Sequence, residues 1–435
     1  MLRGSPAWVR NVLTVLVGMS VVNAGNYGVN IVFGWYLTPA KLGDVVFTTT
    51  GLLVLSAGAL AMQSTTARAW AASYATHDAR VAAAVLRDAR RLSLWAGIAV
   101  AVMLFALAPA SSRFFQLSSS APLWWLGALA PLHLLQGVQR GLLQGSERMG
   151  RFTRTFQAEM LVRLFGSWLV LALGFDLNGV CAALFASVVA SLLMGGPNEL
   201  VLRAEEAVGT VAARSNAIET QFRPMLISSL VAQFSVIMFT QADILIAKAR
   251  ISPEAAGAFS IVVLTSRIVS FIVQAISASL LPTIVKRTEK GERTDLLLAA
   301  ALMAVVIVAT PLLLISWLIP GMAIEALFGP RHTSAAPYLL AYVGATAIHG
   351  LSCIVTDYAF SRGLRTANYV SAAAGLVKIV VAVQFASNLE SLVQLALLVS
   401  CALLVASCGT VFFALRGQLP VAAIPSVRAA NGRPA

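Results

Sequence analysis

Apolar side chains fall into twelve blocks, most of them about 20 residues long, separated by shorter polar segments. A block of this length, coiled as an α-helix, crosses the roughly 30 Å hydrocarbon layer of a membrane. The blocks lie at about 12–36, 44–63, 92–110, 121–142, 157–174, 178–196, 224–247, 256–280, 296–317, 336–356, 368–386 and 392–415. The pattern predicts an all-α integral membrane protein with about twelve transmembrane helices.

Composition and charge support this prediction. Hydrophobic residues make up 58% of the chain and charged residues 11%, whereas soluble domains average roughly 45–50% and 25%. With the N-terminus inside the cell, 23 of the 31 basic residues fall on inner segments. Five fall outside and three within spans: Lys41, Arg113, Lys248, Arg250 and Arg331, then Arg163, Arg267 and Lys378. The net charge of +13 therefore indicates membrane topology, with both termini cytoplasmic, and not nucleic-acid binding.

The sequence carries no pattern typical of an enzyme. A Gly-rich phosphate loop, a nucleophile elbow and a His/carboxylate metal cluster are all absent. The cysteines Cys181, Cys353, Cys401 and Cys408 lie in predicted spans without disulfide or metal-pair spacing. We expect no enzymatic activity, no metal and no cofactor.

An internal repeat divides the chain into two halves. Thr38-Pro39 with Gly43 follows the first span, and Ser252-Pro253 with Gly257 follows the seventh. Six spans per half is an even number, so both halves enter the membrane from the same side as parallel repeats. We predict an N-terminal lobe at 1–205 and a C-terminal lobe at 206–435, joined by a linker at about 197–223. The Ala- and Arg-rich segment at 68–91 is expected to form a helix along the inner surface.

Several short motifs at these places resemble a known family. They are Leu37-Thr38-Pro39 with Gly43, Gly141-Leu142-Leu143-Gln144-Gly145, Gln241-Ala242-Asp243 followed by Ser252-Pro253 and Gly257, and Leu281-Pro282. Together they are similar to the polysaccharide-transporter (Wzx-like flippase) branch of the MOP superfamily. The resemblance implies two pseudo-symmetric six-helix lobes around a central cavity, a MATE-like fold, and export of lipid-linked sugar repeat units. The chain departs from some flippases in lacking a basic residue deep in span one.

Polar side chains at helical spacing form stripes on five spans. A polar side chain that faces lipid is costly, so such stripes are typical of a cavity or of helix contacts. The stripes are Asn23, Asn26 and Asn30; His133, Gln136, Arg140 and Gln144; Ser229, Gln233, Thr240 and Asp243; Arg267, Ser270, Gln274 and Ser277; and His349, Ser352 and Thr356. We predict that the cavity or substrate site includes Arg267, Asp243, Asn23, Asn26, Asn30, Gln233, Gln274, Lys378 and Arg163.

Each assignment has a structural alternative. An Asn or Gln can hydrogen-bond neighbouring helices together, and Arg163 can pair with Glu159 four residues earlier. Lys378 can instead extend its amine to the membrane surface. Arg267 and Asp243 are the leading pair, because ionised side chains within a membrane are functional by default.

The charges deep in the membrane favour an anionic cargo. Three cations lie there, Arg163, Arg267 and Lys378, with one carboxylate, Asp243. This excess of positive charge suits the polyprenyl-diphosphate head of a lipid-linked oligosaccharide. We expect a flippase of the cytoplasmic membrane that works by alternating access. Its partners are expected to be membrane lipids, the lipid-linked oligosaccharide and other polysaccharide-assembly proteins. Proton or sodium coupling through Asp243 is an additional hypothesis.

Two other classes stay open from the sequence. A multidrug or small-molecule exporter on the same fold would show buried carboxylates and aromatic walls for cationic cargo. A polysaccharide polymerase or ligase would carry a large outer loop with catalytic Arg or His. The longest outer loop here, 318–335, offers only Arg331 and His332 for such chemistry.

Overall fold

The computed structural model describes residues 7–75, 79–196, 222–289, 294–361, 364 and 366–415. Within these ranges the backbone is almost entirely helical and contains no strand. The α-helices are α1 (Ala7–Tyr36), α2 (Pro39–Ala75), α3 (Ala79–Phe114), α4 (Ala121–Gly145), α5 (Met149–Ala172), α6 (Leu177–Gly195), α7 (Arg223–Arg250), α8 (Pro253–Glu289), α9 (Asp295–Leu318), α10 (Pro320–Phe328), α11 (Ala336–Ser361), α12 (Thr366–Phe385) and α13 (Leu389–Leu415). A 3₁₀ helix, Pro330–Ala335, follows α10. The all-α prediction is confirmed, and each of the twelve apolar blocks coincides with one of these helices.

Not every helix is equally apolar. Among the described residues, seven helices are long and apolar enough to cross a membrane, and the bent α7 makes an eighth. The apolar part of α12 is shorter than a full span. The other predicted spans that fall short are α1, α4 and α5, which carry several of the predicted polar residues. These three helices also pack together at the site described below.

The segment at 68–91 is not a separate surface helix. Its described residues, 68–75 and 79–91, form the end of α2 and the start of α3, which are 37 and 36 residues long. Trp70 of α2 and Leu86 of α3 are buried in one apolar cluster with Leu226 of α7 and with Phe222, the residue before α7. Burial of this apolar surface against α7 favours extension of the two spans over a helix lying on the membrane.

The chain divides into two compact units, Met1–Gly257 and Ala258–Ala435. In the first unit, α2 packs against α4 and α7, α3 packs against α4, and α5 packs against α1 and α6. In the second unit, α11 packs against α9 and α13, and α12 packs against α13. The first span of the predicted C-terminal lobe, α7, therefore contacts the first unit. The lobe boundary at 205/206 stays a prediction about the repeat, and the linker lies largely outside the described residues.

Three glycines bring α4 into close contact with α2. Gly137, Gly141 and Gly145 are spaced four residues apart and therefore share one face of α4. In that order they face the backbone carbonyl oxygens of Ala59, Gln63 and Ala67. A Cβ atom at Gly145 would lie 2.6 Å from the oxygen of Ala67, and one at Gly137 or Gly141 would overlap its carbonyl outright. Small residues at this spacing allow the helix backbones to approach, so the motif at 141–145 is a packing element.

We expect Gly141→Ala to lower the free energy of unfolding by about 1–3 kcal/mol, because the new methyl group has no space against α2. Thermal unfolding of the detergent-purified protein measures the loss. Gly409→Ala in α13 is the matched control, since nothing lies within 4 Å of a Cβ built there. Equal thermal stability of the two variants would contradict the close contact between α2 and α4.

Candidate functional site

A buried carboxylate on α5 binds two guanidinium groups in the first unit. Arg140 of α4 donates to Oε2 of Glu159 over 2.6 Å, and Arg163 donates to the other oxygen, Oε1. The side chains of Arg140, Glu159 and Arg163 are 8%, 10% and 17% exposed. The pairing of Arg163 with Glu159 has the i, i+4 spacing seen in the sequence. The second partner, Arg140, comes from another helix.

Polar contacts from α5 and α6 hold Arg140 in place. Its Nε atom donates to the hydroxyl of Thr155 over 3.1 Å, and its Nη2 atom also donates to the hydroxyl of Ser191 on α6 over 3.1 Å. The guanidinium group lies 3.5 Å above the ring of Phe156. The amide of Gln136 donates to the same carboxylate oxygen of Glu159 over 2.9 Å. Arg140 is therefore fixed on several sides.

Arg163 is held less completely than Arg140. Its Nη1 atom lies 3.5 Å from the side-chain oxygen of Asn26 on α1, a long contact, and its buried Nε atom has no hydrogen-bond partner among the residues that the structure describes. A buried donor without a partner costs free energy, which an acceptor from a ligand would recover. We call Asn26, Gln136, Arg140, Glu159 and Arg163 the Glu159 network, and Arg163 is its most exposed cation.

The Glu159 network carries a net positive charge. Two guanidinium groups face one carboxylate, so one unit of positive charge stays without a counter-ion inside the network. Arg163 lies about 20 Å along α5 from its first residue, and Arg140 lies about 8 Å from the end of α4. With the predicted spans at 121–142 and 157–174, Arg140 and Arg163 lie about 3 Å and about 9 Å from the inner ends of their spans, so the network lies in the inner half of the membrane.

The other predicted site residues are distributed over both units. In the first unit, Asn23 and Gln233 are half-buried, whereas Asn30 and Asp243 are buried. In the second unit, Arg267 is half-buried, Gln274 is exposed and Lys378 is buried. Of the predicted set, the structure brings together Asn26 and Arg163. The leading pair, Asp243 and Arg267, belongs to different units and stays a prediction.

The second unit has polar contacts of its own. Arg267 lies within electrostatic range of Tyr342 of α11, and Lys378 of α12 lies within electrostatic range of His349 of α11. The hydroxyl of Thr356 lies 3.3 Å from those of both Ser371 and Ser407. The polar stripe of span ten therefore faces neighbouring helices, as the helix-contact alternative predicts.

Two basic residues are not where the span pattern placed them. Arg140, counted on the inner side, is buried within α4. Lys248, counted in an outer loop, is buried near the end of α7, where it binds Asp44 of α2 over 2.7 Å. The hydropathy pattern places Arg140 and Lys248 at the ends of apolar blocks, where a charge is normally exposed. Their burial is explained by the contact that each makes with a carboxylate on another helix.

The long apolar helices define a polytopic membrane protein, and its fold is similar to solved structures of MOP superfamily transporters. An inward-facing structure of a multidrug resistance MATE family transporter of the MOP superfamily has a TM-score of 0.71 and 16% identity, covering 95% of this chain and 98% of that chain. An outward-facing structure of such a transporter has a TM-score of 0.56 and 16% identity, with coverages of 94% and 95%. The lipid II flippase MurJ, in an inward closed conformation, has a TM-score of 0.65 and 11% identity, with coverages of 93% and 87%. At these identities the likeness shows the fold.

The sequence then assigns the chain to a family. A family model described as polysaccharide biosynthesis protein matches residues 77–337, more than half of the chain. The chain belongs to this family, which confirms the resemblance seen in the short motifs. No curated protein matches it.

We expect Glu159→Gln to destabilise the protein by about 3–5 kcal/mol, because it leaves two buried guanidinium groups without their counter-ion. The readout is thermal unfolding of the purified protein. Lys41→Gln provides the control, since it breaks an exposed ion pair of 2.8 Å with Asp176 and should cost about 0–1 kcal/mol. Similar losses for the two variants would show that Glu159 is not the centre of the network.

Proposed function

We propose that the protein is a flippase that exports lipid-linked oligosaccharide repeat units, carried on a polyprenyl diphosphate, across the cytoplasmic membrane. Membership of the polysaccharide biosynthesis family and a MOP fold support a transporter of this general class. The observation that carries the proposal is the net-positive Glu159 network, buried at membrane depth in a helix pair of the first unit.

The chemistry of the network suits a phosphate group. A guanidinium presents several N–H donors in a planar fork that matches phosphate oxygens, and its hydrogen bonds to an anion are stronger than neutral ones. Arg163 keeps an unpartnered Nε donor, while Glu159 and Asn26 fix its direction. Arg163 is therefore the residue we assign to the diphosphate, with Arg140 holding Glu159 in position.

The membrane potential favours export of such a cargo. Two negative charges leaving an inside-negative cell gain roughly 4–5 kcal/mol at a potential of about 100 mV. This gain supplies a direction without an enzyme or a bound cofactor. In our proposal the protein alternates between inward and outward access while the lipid tail stays in the bilayer. Coupling to a proton or sodium ion through Asp243 is a further part of the hypothesis.

A multidrug exporter is the second candidate, because two of the solved structures cited above are multidrug resistance MATE family transporters. Organic cations need a carboxylate that is free to bind them. In the described Glu159 network the carboxylate is bound by two guanidinium groups, so the network repels a cation. This charge balance favours the anionic lipid over a cationic drug.

The function is tested by deleting the gene in its native host and identifying the lipid-linked intermediate on the inner leaflet. We expect an undecorated cell surface and accumulation of a polyprenyl-diphosphate oligosaccharide, both reversed by the intact gene. Normal surface polysaccharide together with increased sensitivity to cationic drugs would support the multidrug exporter instead.

We expect Arg163→Gln to reduce complementation of this deletion by on the order of 10- to 100-fold, because it removes one charge-assisted hydrogen bond to a phosphate. Flipping is measured as labelled oligosaccharide reaching the outer leaflet per unit of membrane-inserted protein. Arg154→Gln is the matched control, because Arg154 lies on the same helix but is exposed. An unchanged rate for Arg163→Gln at normal protein abundance would remove Arg163 from the site.

Arg267→Ala and Asp243→Asn test the part of the site predicted in α8 and α7. We expect each to reduce export in the same assay, because each removes an intramembrane charge. Asp243→Asn should in addition weaken the dependence of export on the proton or sodium gradient, if Asp243 couples the ion. Normal export by both variants, with normal insertion, would reject this part of the site and leave the assignment of Arg163 intact.

A further inference from the structure

The first unit contains a second buried ion pair, remote in sequence from the Glu159 network. Lys248 and Asp44 have side chains that are 1% and 3% exposed. The amine of Lys248 donates to Oδ1 of Asp44 over 2.7 Å and to the backbone oxygen of Gln116 over 3.3 Å. The other carboxylate oxygen of Asp44 accepts the backbone N–H of Ser118 over 3.1 Å. The pair therefore joins α2, α7 and the segment between α3 and α4.

The start of α8 packs closely against α2 beside this ion pair. Gly43 precedes Asp44, and a Cβ atom there would lie 3.3 Å from the backbone nitrogen of Gly257. A Cβ atom at Gly257 would overlap the carbonyl of Pro39. These glycines and Pro39 belong to the repeated motif at 38–43 and 252–257. The repeat therefore supplies the two surfaces that pack together beside the ion pair.

The positions of the charged residues place this contact on the outer side of the membrane. Asp44 lies one turn into α2 and Lys248 lies in the last turn of α7. The segments next to them, around 37–41, 111–120 and 250–253, are the predicted outer connections. The pair therefore closes the outer end of the contact between α2 and α7.

We propose that Asp44 and Lys248 form a reversible latch, which holds α2 against α7 in the closed state and parts when this end of the protein opens. The latch requires only that the protein alternates between conformations, and it is independent of the identity of the cargo. It involves none of the residues that we assign to the diphosphate.

The chemistry of an ion pair suits a contact that must open. A buried ion pair adds little stability compared with an apolar contact of similar volume, because both charges have lost their hydration. When water enters between the helices, each charge regains that hydration, which offsets the loss of the partner. An apolar contact has no such compensation and would stay closed. The Asp44–Lys248 pair therefore keeps the closed and open states near in free energy.

This reasoning predicts opposite effects for two variants. Lys248→Met leaves the carboxylate of Asp44 buried without a counter-ion, so it destabilises the closed state and favours opening. Asp44→Asn combined with Lys248→Met removes both charges, so it favours the closed state. The double variant leaves no uncompensated charge and keeps an oxygen for the N–H of Ser118, and it is therefore expected to fold normally.

The test measures access to a cysteine placed beside the latch. Ile251, which is 5% exposed, is replaced by Cys in a protein whose four own cysteines are replaced. A membrane-impermeant maleimide is added from the outer side of intact cells. We expect labelling about tenfold faster in Lys248→Met, corresponding to a tenfold shift in the population of the open state. We expect labelling slower than in the parent protein for the double variant.

Lys41→Gln is the control, because Lys41 lies on α2 like Asp44 but forms only an exposed ion pair with Asp176; the change should leave labelling unchanged. Equal labelling of Lys248→Met and the parent protein, at equal thermal stability, would overturn the latch. If Lys248→Met is not recovered from the membrane, the labelling rate of the double variant alone tests the latch. Labelling of the double variant at or above the parental rate would also overturn the proposal.

Discussion

The structure depends on one constraint, the cost of an ionised side chain in hydrocarbon. A buried charge is tolerated when an opposite charge and further hydrogen bonds compensate it. Glu159 meets this condition with two arginines and Gln136, and Lys248 meets it with Asp44 and the carbonyl of Gln116. In each case an oppositely charged partner comes from another helix, Arg140 of α4 for Glu159 and Asp44 of α2 for Lys248. Arg140 and Lys248, which hydropathy alone would place outside the membrane, therefore contribute to the choice of which helices pack together.

The positions of the helices are predictable from the sequence because the length and apolar character of each block are enough to predict a helix there. Twenty apolar residues must cross the bilayer as a helix, whatever their neighbours are. The same local reasoning fails for 68–91, where the pattern suggests an amphipathic surface helix. Burial of Trp70 and Leu86 against Phe222 extends α2 and α3 instead. That contact joins residues about 150 positions apart, and no local period encodes it.

The candidate site is only partly predictable for the same reason. The i, i+4 spacing of Glu159 and Arg163 is visible in the sequence, and the structure contains this pair. Arg140 is missed as a site residue because it lies near the end of an apolar block, where a basic residue usually marks the inner surface. The contact of α4 and α5 brings it to Glu159. A buried arginine close to a carboxylate of the next span is a signal that could have indicated the pair.

The two ion-pair sites differ in charge balance, and this difference separates their roles. Asp44 and Lys248 compensate each other fully, so their site has no net charge to offer a ligand. Arg140 and Arg163 share one carboxylate, so the Glu159 network keeps an excess positive charge and an unpartnered donor. A neutral pair between helices can open and close without attracting ions, whereas a net-positive network in the membrane is stabilised when an anion arrives. Under our two proposals, charge balance therefore separates a conformational role at the end of α7 from a cargo-binding role on α5.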